Sequence, residues 1–416
     1  MAMVRPVNFP VLTQHLEEAA FCWLRRQEGL WSPTFRQEHL ARADYLLDAH
    51  LEGLRVAGTA SVDLALSNLQ RWKTADEVFV STYVLLHAGD DGRLKQLEAV
   101  MLDDPELIPG AAAALLWAPP DQGLALLQRW WSSRDSMLRR AAVPAALRHP
   151  RVKRDTVVLD AIESGDASLR ARAFRAVGEW RLEPYREALL QGATDTEPCS
   201  RFEANYALCL LGDIQARARL DQDLDHLKGS QRRRGIMAWA ILPPSERFAA
   251  VFDQRAVETA WHRDLIYALA WRGDPAGLPL LIQWLQVPAL ARLAAYAICH
   301  ITGADLDADD LWQQDSPSSE EHEHDHEDNV SHERRDDEED DEDAGLLPPD
   351  TERLTDWLKL HSPLFQPGIR YMAGRPFAMA AEDAASYCMP QVWQAAMLRT
   401  LQGEIGAMCE TARPRL

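Results

Sequence analysis

The stretch Tyr206-Ala207-Leu208-Cys209-Leu210-Leu211-Gly212-Asp213 decides the fold, because it comes back. The same order of an aromatic ring, small and branched apolar residues, and then Gly-Asp stands at Tyr83-Val84-Leu85 with Gly89-Asp90, and at Tyr267-Ala268-Leu269 with Gly273-Asp274. A degenerate copy reads Tyr296-Ala297-Ile298 with Gly303. Between these copies, alanine-rich segments centred on Ala112, Val143, Phe174 and Met237 keep step. The anchors 83, 112, 143, 174, 206, 237, 267 and 296 are separated by 29, 31, 31, 32, 31, 30 and 29 residues, and a period held this closely marks a repeat architecture.

About 30 residues accommodate two short helices and two turns, and one such hairpin cannot bury its apolar face without a neighbour stacked on it. Small residues at the anchors let helices approach closely. The glycine after each anchor predicts a left-handed helix stop, and the aspartate after it an N-cap for the next helix. Prolines 105, 119, 120, 150, 184, 198, 243, 244 and 275 fall between segments, where breaks are wanted. The period and the Ala-x-x-Ala-Leu-like pattern resemble the short, phycobilin-lyase type of HEAT-like repeat. The expected fold is therefore all-α: a right-handed α-solenoid of about eight HEAT-like helix pairs over 73–304. Helical caps are expected at 1–72 and 350–416, with a disordered acidic insert at 305–349.

The composition supports a large core, with 47% hydrophobic residues and 14 tryptophans among 416 residues. No run approaches the roughly 18 apolar residues of a membrane span. The six cysteines (22, 199, 209, 299, 388 and 409) form no CxxC pair, and the N-terminus offers no apolar signal core, so a reducing, cytoplasmic setting is expected. The net charge of −20 is local: residues 305–343 hold 20 Asp or Glu against Arg334 and Arg335, leaving 42 basic and 44 acidic residues elsewhere. Charge therefore does not choose a partner for the folded body.

The ends carry a second resemblance. The strings HLEEAAFCWLRR (15–26), DAHLEGLRVAG (48–58) and GIRYMAGRP (368–376) are similar to the terminal signatures of a proteobacterial HEAT-repeat family without an established activity. Its members are often encoded beside type VI secretion genes. With the repeats between them, the resemblance covers nearly the whole chain outside the acidic segment, and it implies a genomic setting without a mechanism.

Three features could carry function. The run Glu320–Asp328 alternates carboxylates with His322, His324 and His326, and His332 follows; imidazole and carboxylate both suit Zn²⁺ or Ni²⁺. The competing reading, a solvated low-complexity linker with no resident metal, fits the lack of apolar residues around it. Residues 129–186 hold 13 Lys or Arg against seven acidic residues, and Arg232-Arg233-Arg234 follows two repeats later. Arg139, Arg140, Arg170, Arg172, Arg175, Arg232, Arg233 and Arg234 are candidates for a groove that takes an acidic partner, or on the other reading for exposed faces with local ion pairs. Folding of the acidic segment back onto this groove is a further expectation. Trp239 and Trp271 are candidate contact residues, with core packing as the alternative.

No Gly-rich phosphate loop, GxSxG elbow or HExxH occurs, and no cofactor is implied. His15, His39, His50, His87, His226, His262 and His300 stand singly within predicted helices. The expected function is a non-enzymatic protein-binding scaffold: a cytoplasmic adaptor, chaperone or immunity partner of a type VI secretion effector, with no membrane and no nucleic-acid partner. The alternatives are a nucleic-acid-binding or base-processing HEAT-like protein and, third, a lyase-like enzyme.

Overall fold

The computed structural model describes residues 8–313, 343, 345–366, 368–380 and 387–403. The chain forms two compact units, Met1–Gln231 with Cys388–Leu416, and Arg232–Tyr387.

The first unit contains α1 (Phe9–Gly29), α2 (Gln37–Ala57), α3 (Thr59–Trp72), α4 (Ala75–Ala88), α5 (Asp91–Asp103), α6 (Ile108–Trp117), α7 (Pro120–Trp131) and α8 (Ser136–Ala146). It continues with α9 (Arg154–Ile162), α10 (Ala167–Glu179), α11 (Arg186–Gly192), α12 (Pro198–Leu210) and α13 (Ile214–Arg217). The unit boundary falls inside α14 (Gly229–Ile241). The second unit then holds α15 (Ser245–Arg255), α16 (His262–Arg272), α17 (Leu278–Trp284), α18 (Pro288–Thr302), α19 (Thr351–His361), a hairpin of β1 (Tyr371–Met372) and β2 (Arg375–Pro376), and α20 (Phe377–Ala380). The last helix, α21 (Met389–Leu401), belongs to the first unit.

The eight sequence anchors land one each on α4, α6, α8, α10, α12, α14, α16 and α18, and all are buried. In the first unit α4 packs on α6, α6 on α8, α8 on α10 and α10 on α12, in chain order. The helix before each member packs on it as well, in the pairs α7–α8, α9–α10 and α11–α12; in the second unit α17–α18 is such a pair and α16 packs on α18. Alanines 111, 114, 141, 145, 173, 176, 204 and 207 are at most 2% exposed, which is why these helices come so close. The Gly-Asp signal has its expected consequence: Gly89, Gly212 and Gly273 take φ of 65–87°, and Asp90, Asp213 and Asp274 accept from the backbone N–H two or three residues on.

The C-terminal signature is not helical as expected. It turns the β1–β2 hairpin, whose backbone closes the C-terminal ends of successive helices of the second unit. Just before β1 the Arg370 guanidinium donates to the Ile241 carbonyl of α14 (2.8 Å), and the Tyr371 backbone N–H donates to Gly273 after α16 (2.7 Å). The N–H groups of Ala373 and Gly374 reach His300 and Ile301 of α18 at 2.7 and 3.0 Å. Helix ends leave carbonyls without intrahelical partners, and this segment supplies donors to them. Gly273 and Gly303 are thereby needed twice: each has a positive φ, and a Cβ would lie 2.2 Å from the Tyr371 oxygen or 2.8 Å from the Ala373 carbonyl.

The acidic segment, expected to be unstructured over 305–349, is structured at both edges. Leu311 is buried, Trp312 bridges Pro349, and the Gln313 N–H donates to Pro348. Residues 314–342 lie outside the described residues, and the candidate metal ligands His322, His324, His326 and His332 lie among them.

Candidate interaction site

The arginines of the basic region serve two different purposes. Arg140, Arg170, Arg201, Arg232 and Arg263 recur every 30 or 31 residues in the first turns of α8, α10, α12, α14 and α16. Each reaches an aspartate further along the chain. Arg140 pairs with Asp166, the N-cap of α10 (2.7 Å), and Arg170 holds Asp195 through Nε and Nη2 (2.7 and 2.9 Å). Arg201 holds Asp223 through the same two nitrogens (3.1 and 2.5 Å), Arg232 pairs with Asp264 (2.6 Å), and Arg263 with Asp343. These are ties from one repeat to the next, and the forked guanidinium suits the bidentate grip. Arg139 is likewise taken, by Asp160 at 2.7 Å.

Expected groove residues Arg139, Arg140, Arg170 and Arg232 are therefore inter-helix ties. Arg232 also lies over the Trp261 ring and Arg233 over Tyr267, while Arg234 is buried. Consecutive residues of a helix point about 100° apart, so this triplet does not make one patch. Trp239 and Trp271 are 0% and 1% exposed and belong to the core.

What remains is a cluster on α10. Arg172, Arg175 and Glu179 share one stripe of that helix, and Arg148, just after α8, joins them. Glu179 is buried and receives Arg175 at 2.5 Å, Arg148 at 3.8 Å and Arg172 at 3.9 Å. Burial opposes ionisation of Glu179, but Arg175, Arg172 and Arg148 outweigh it and hold its carboxyl down to about 2. Burial, and then the charge of Arg148, pushes Arg172 down to about 9. Arg175 moves the other way: burial opposes its charge, and Glu179 with Glu203 raises it above the usual arginine value.

Three guanidiniums thus converge on Glu179, with Glu203 also acting on Arg172 and Arg175. Their side chains keep 13–26% exposure, and among the described residues Arg172 Nη1 donates no hydrogen bond. Beside them the half-buried Trp180 ring is covered by Arg154 at 3.8 Å and Arg148 at 5.5 Å. Sequence reasoning singled out Arg172 and Arg175, counted Arg148 only within the basic region and Trp180 only among the tryptophans, and missed Glu179; the helical spacing 172, 175, 179 was the available signal. No protein-family model matches the chain, no curated protein is similar to it, and no solved structure matches its fold.

Proposed function

We propose that the protein is a HEAT-like α-solenoid scaffold that binds a protein partner, seating an acidic segment of that partner at Arg148, Arg172 and Arg175. One observation carries this reading: three half-buried guanidiniums, those of Arg148, Arg172 and Arg175, converge on the carboxylate of Glu179. Charge-assisted pairs of Arg with carboxylate are strong and directional, and partial burial of the site reduces screening. The solenoid reading rests on the 29–32-residue period and on packing of the anchor helices in chain order. The resemblance of the terminal strings suggests the setting, a cytoplasmic adaptor, chaperone or immunity partner of a type VI secretion effector. A phosphate-tracking surface needs a row of uncommitted cations. Arg140, Arg170, Arg201, Arg232 and Arg263 are instead tied to aspartates, which favours protein over nucleic acid.

The test is affinity capture from the native cell with the full chain and with Arg172→Glu. A protein retained in stoichiometric yield, eluted by salt and lost with the charge reversal is the expected result. Capture that ignores the reversal, or retention of nucleic acid in place of protein, overturns the reading.

A further inference from the structure

The N-terminal helix pair brings together donors that look solitary along the chain. His15, Glu18 and Cys22 stand at positions i, i+3 and i+7 of α1, which places them on one stripe of that helix. His50 comes from α2, and the pairings His15–His50 and Arg26–Asp44 show that the two helices run antiparallel. The ligand atoms of Glu18, Cys22 and His50 all lie within 4.8 Å of one another. His15 Nδ1 stands 3.0 Å from His50 Nδ1, so one ring donates and the other accepts.

We propose that Glu18, Cys22 and His50 form a divalent-metal site, Zn²⁺ by ligand type, with His15 as the ring that orients His50. A carboxylate, a thiolate and an imidazole are all ligands that zinc takes, and three protein ligands leave the fourth tetrahedral position to water or to a donor from a partner. Ligand atoms about 2.0–2.3 Å from a common zinc are roughly 3.3–3.8 Å apart, so a small side-chain adjustment closes the group around an ion. Cys22 is buried, Glu18 and His50 are half-buried, and the site is reached from solvent through those two.

One further observation fits. The His15 ring lies against Gly53, one turn beyond His50, where a Cβ would come within 2.8 Å of ring atoms; the glycine makes room for the orienting imidazole. On binding, the Cys22 thiol proton leaves to solvent as the metal–sulfur bond forms.

The chain carries four more histidines among carboxylates, at 322, 324, 326 and 332, so total metal uptake does not decide the matter. The readout is Co²⁺ added to the full-length, EDTA-treated protein, followed by the near-ultraviolet thiolate-to-cobalt band and the visible bands of a tetrahedral ion. One equivalent with a thiolate band, displaced by Zn²⁺, is expected. Cys22→Ser should remove that band, His50→Ala should remove tight binding, and His15→Ala should weaken it about 10–100-fold. Replacing the four other histidines by alanine should leave the band in place. Circular dichroism identifies any variant that fails to fold, and either Cys22→Ser or His50→Ala then suffices. Absence of a thiolate band in the parent, or a band that survives Cys22→Ser, overturns the assignment.

Discussion

Replacing Glu179 by glutamine keeps the size of the side chain and removes the charge on which Arg148, Arg172 and Arg175 converge. Glu179 is 5% exposed, so the change leaves guanidiniums facing a neutral amide inside the α10 surface. At 3.8–3.9 Å a pair of unit charges interacts by roughly 4 kcal/mol at an effective dielectric of about 20, before desolvation is subtracted. Removing one partner of a fully buried pair typically costs about 3–5 kcal/mol. The arginines here keep 13–26% exposure and can recruit water, which brings the expected loss to about 2–3 kcal/mol. For a unit of this size that corresponds to a fall in melting temperature of about 5–10 °C. Thermal and urea unfolding of the full chain, followed by circular dichroism, measures it, with the exposed Glu187→Gln as the control. Adding Arg172→Met to Glu179→Gln should recover part of the loss, because the uncompensated cation nearest its neutral form is then gone. A Glu179→Gln protein within about 0.5 kcal/mol of the parent, the range of ordinary surface changes, would refute the cluster as an interlocked unit.

Acid should weaken the first unit for the same reason. Glu179 and Asp195 both titrate near 2, below their usual 4.5 and 3.8, so their stabilisation is complete above about 4.5 and is lost as pH falls towards 2; Glu179→Gln should flatten that slope in acid unfolding. Gly89→Ala and Gly273→Ala occupy the same motif position with similar φ, but only at Gly273 would the Cβ meet the hairpin, 2.2 Å from the Tyr371 oxygen. Gly89→Ala should therefore cost about 1 kcal/mol of stability through backbone strain, and Gly273→Ala clearly more, in parallel thermal melts. Deleting residues 314–342 should raise the affinity of the full chain's remainder for an acidic peptide at low salt, with the gain vanishing at high salt; equal affinity with and without the segment would remove it as an internal competitor for Arg148, Arg172 and Arg175.

The apolar pattern made the helices legible because the packed face of each must be buried, so Tyr83, Ala112, Val143, Phe174, Tyr206, Met237, Tyr267 and Tyr296 mark the eight copies. The Gly-Asp pairs were legible for a local reason, a left-handed stop followed by a cap. The hairpin at 371–376 was not, since two strands of two residues each leave no alternating pattern. They exist because helix C-termini nearby need donors. His15, Glu18, Cys22 and His50 were invisible for another reason: the decisive neighbour comes from the second helix, 28 residues or more along the chain.

Arginine shows why charge density alone misleads in a chain whose sequence pattern recurs. A contact that holds one repeat to the next has to recur with the repeat, and Arg140, Arg170, Arg201, Arg232 and Arg263 do so, each with its aspartate. The residues equivalent to Arg172 one period earlier and later are Ala141 and Glu203, and those equivalent to Arg175 are Pro144 and Tyr206. Arg148 is matched one period later by Glu179 itself. Stacking therefore does not demand these arginines, because neighbouring repeats stack without them. Charges in register with the hydrophobic period tie one helix to the next, and charges that break register, half-buried around Glu179, are the surface proposed here for a partner's carboxylates.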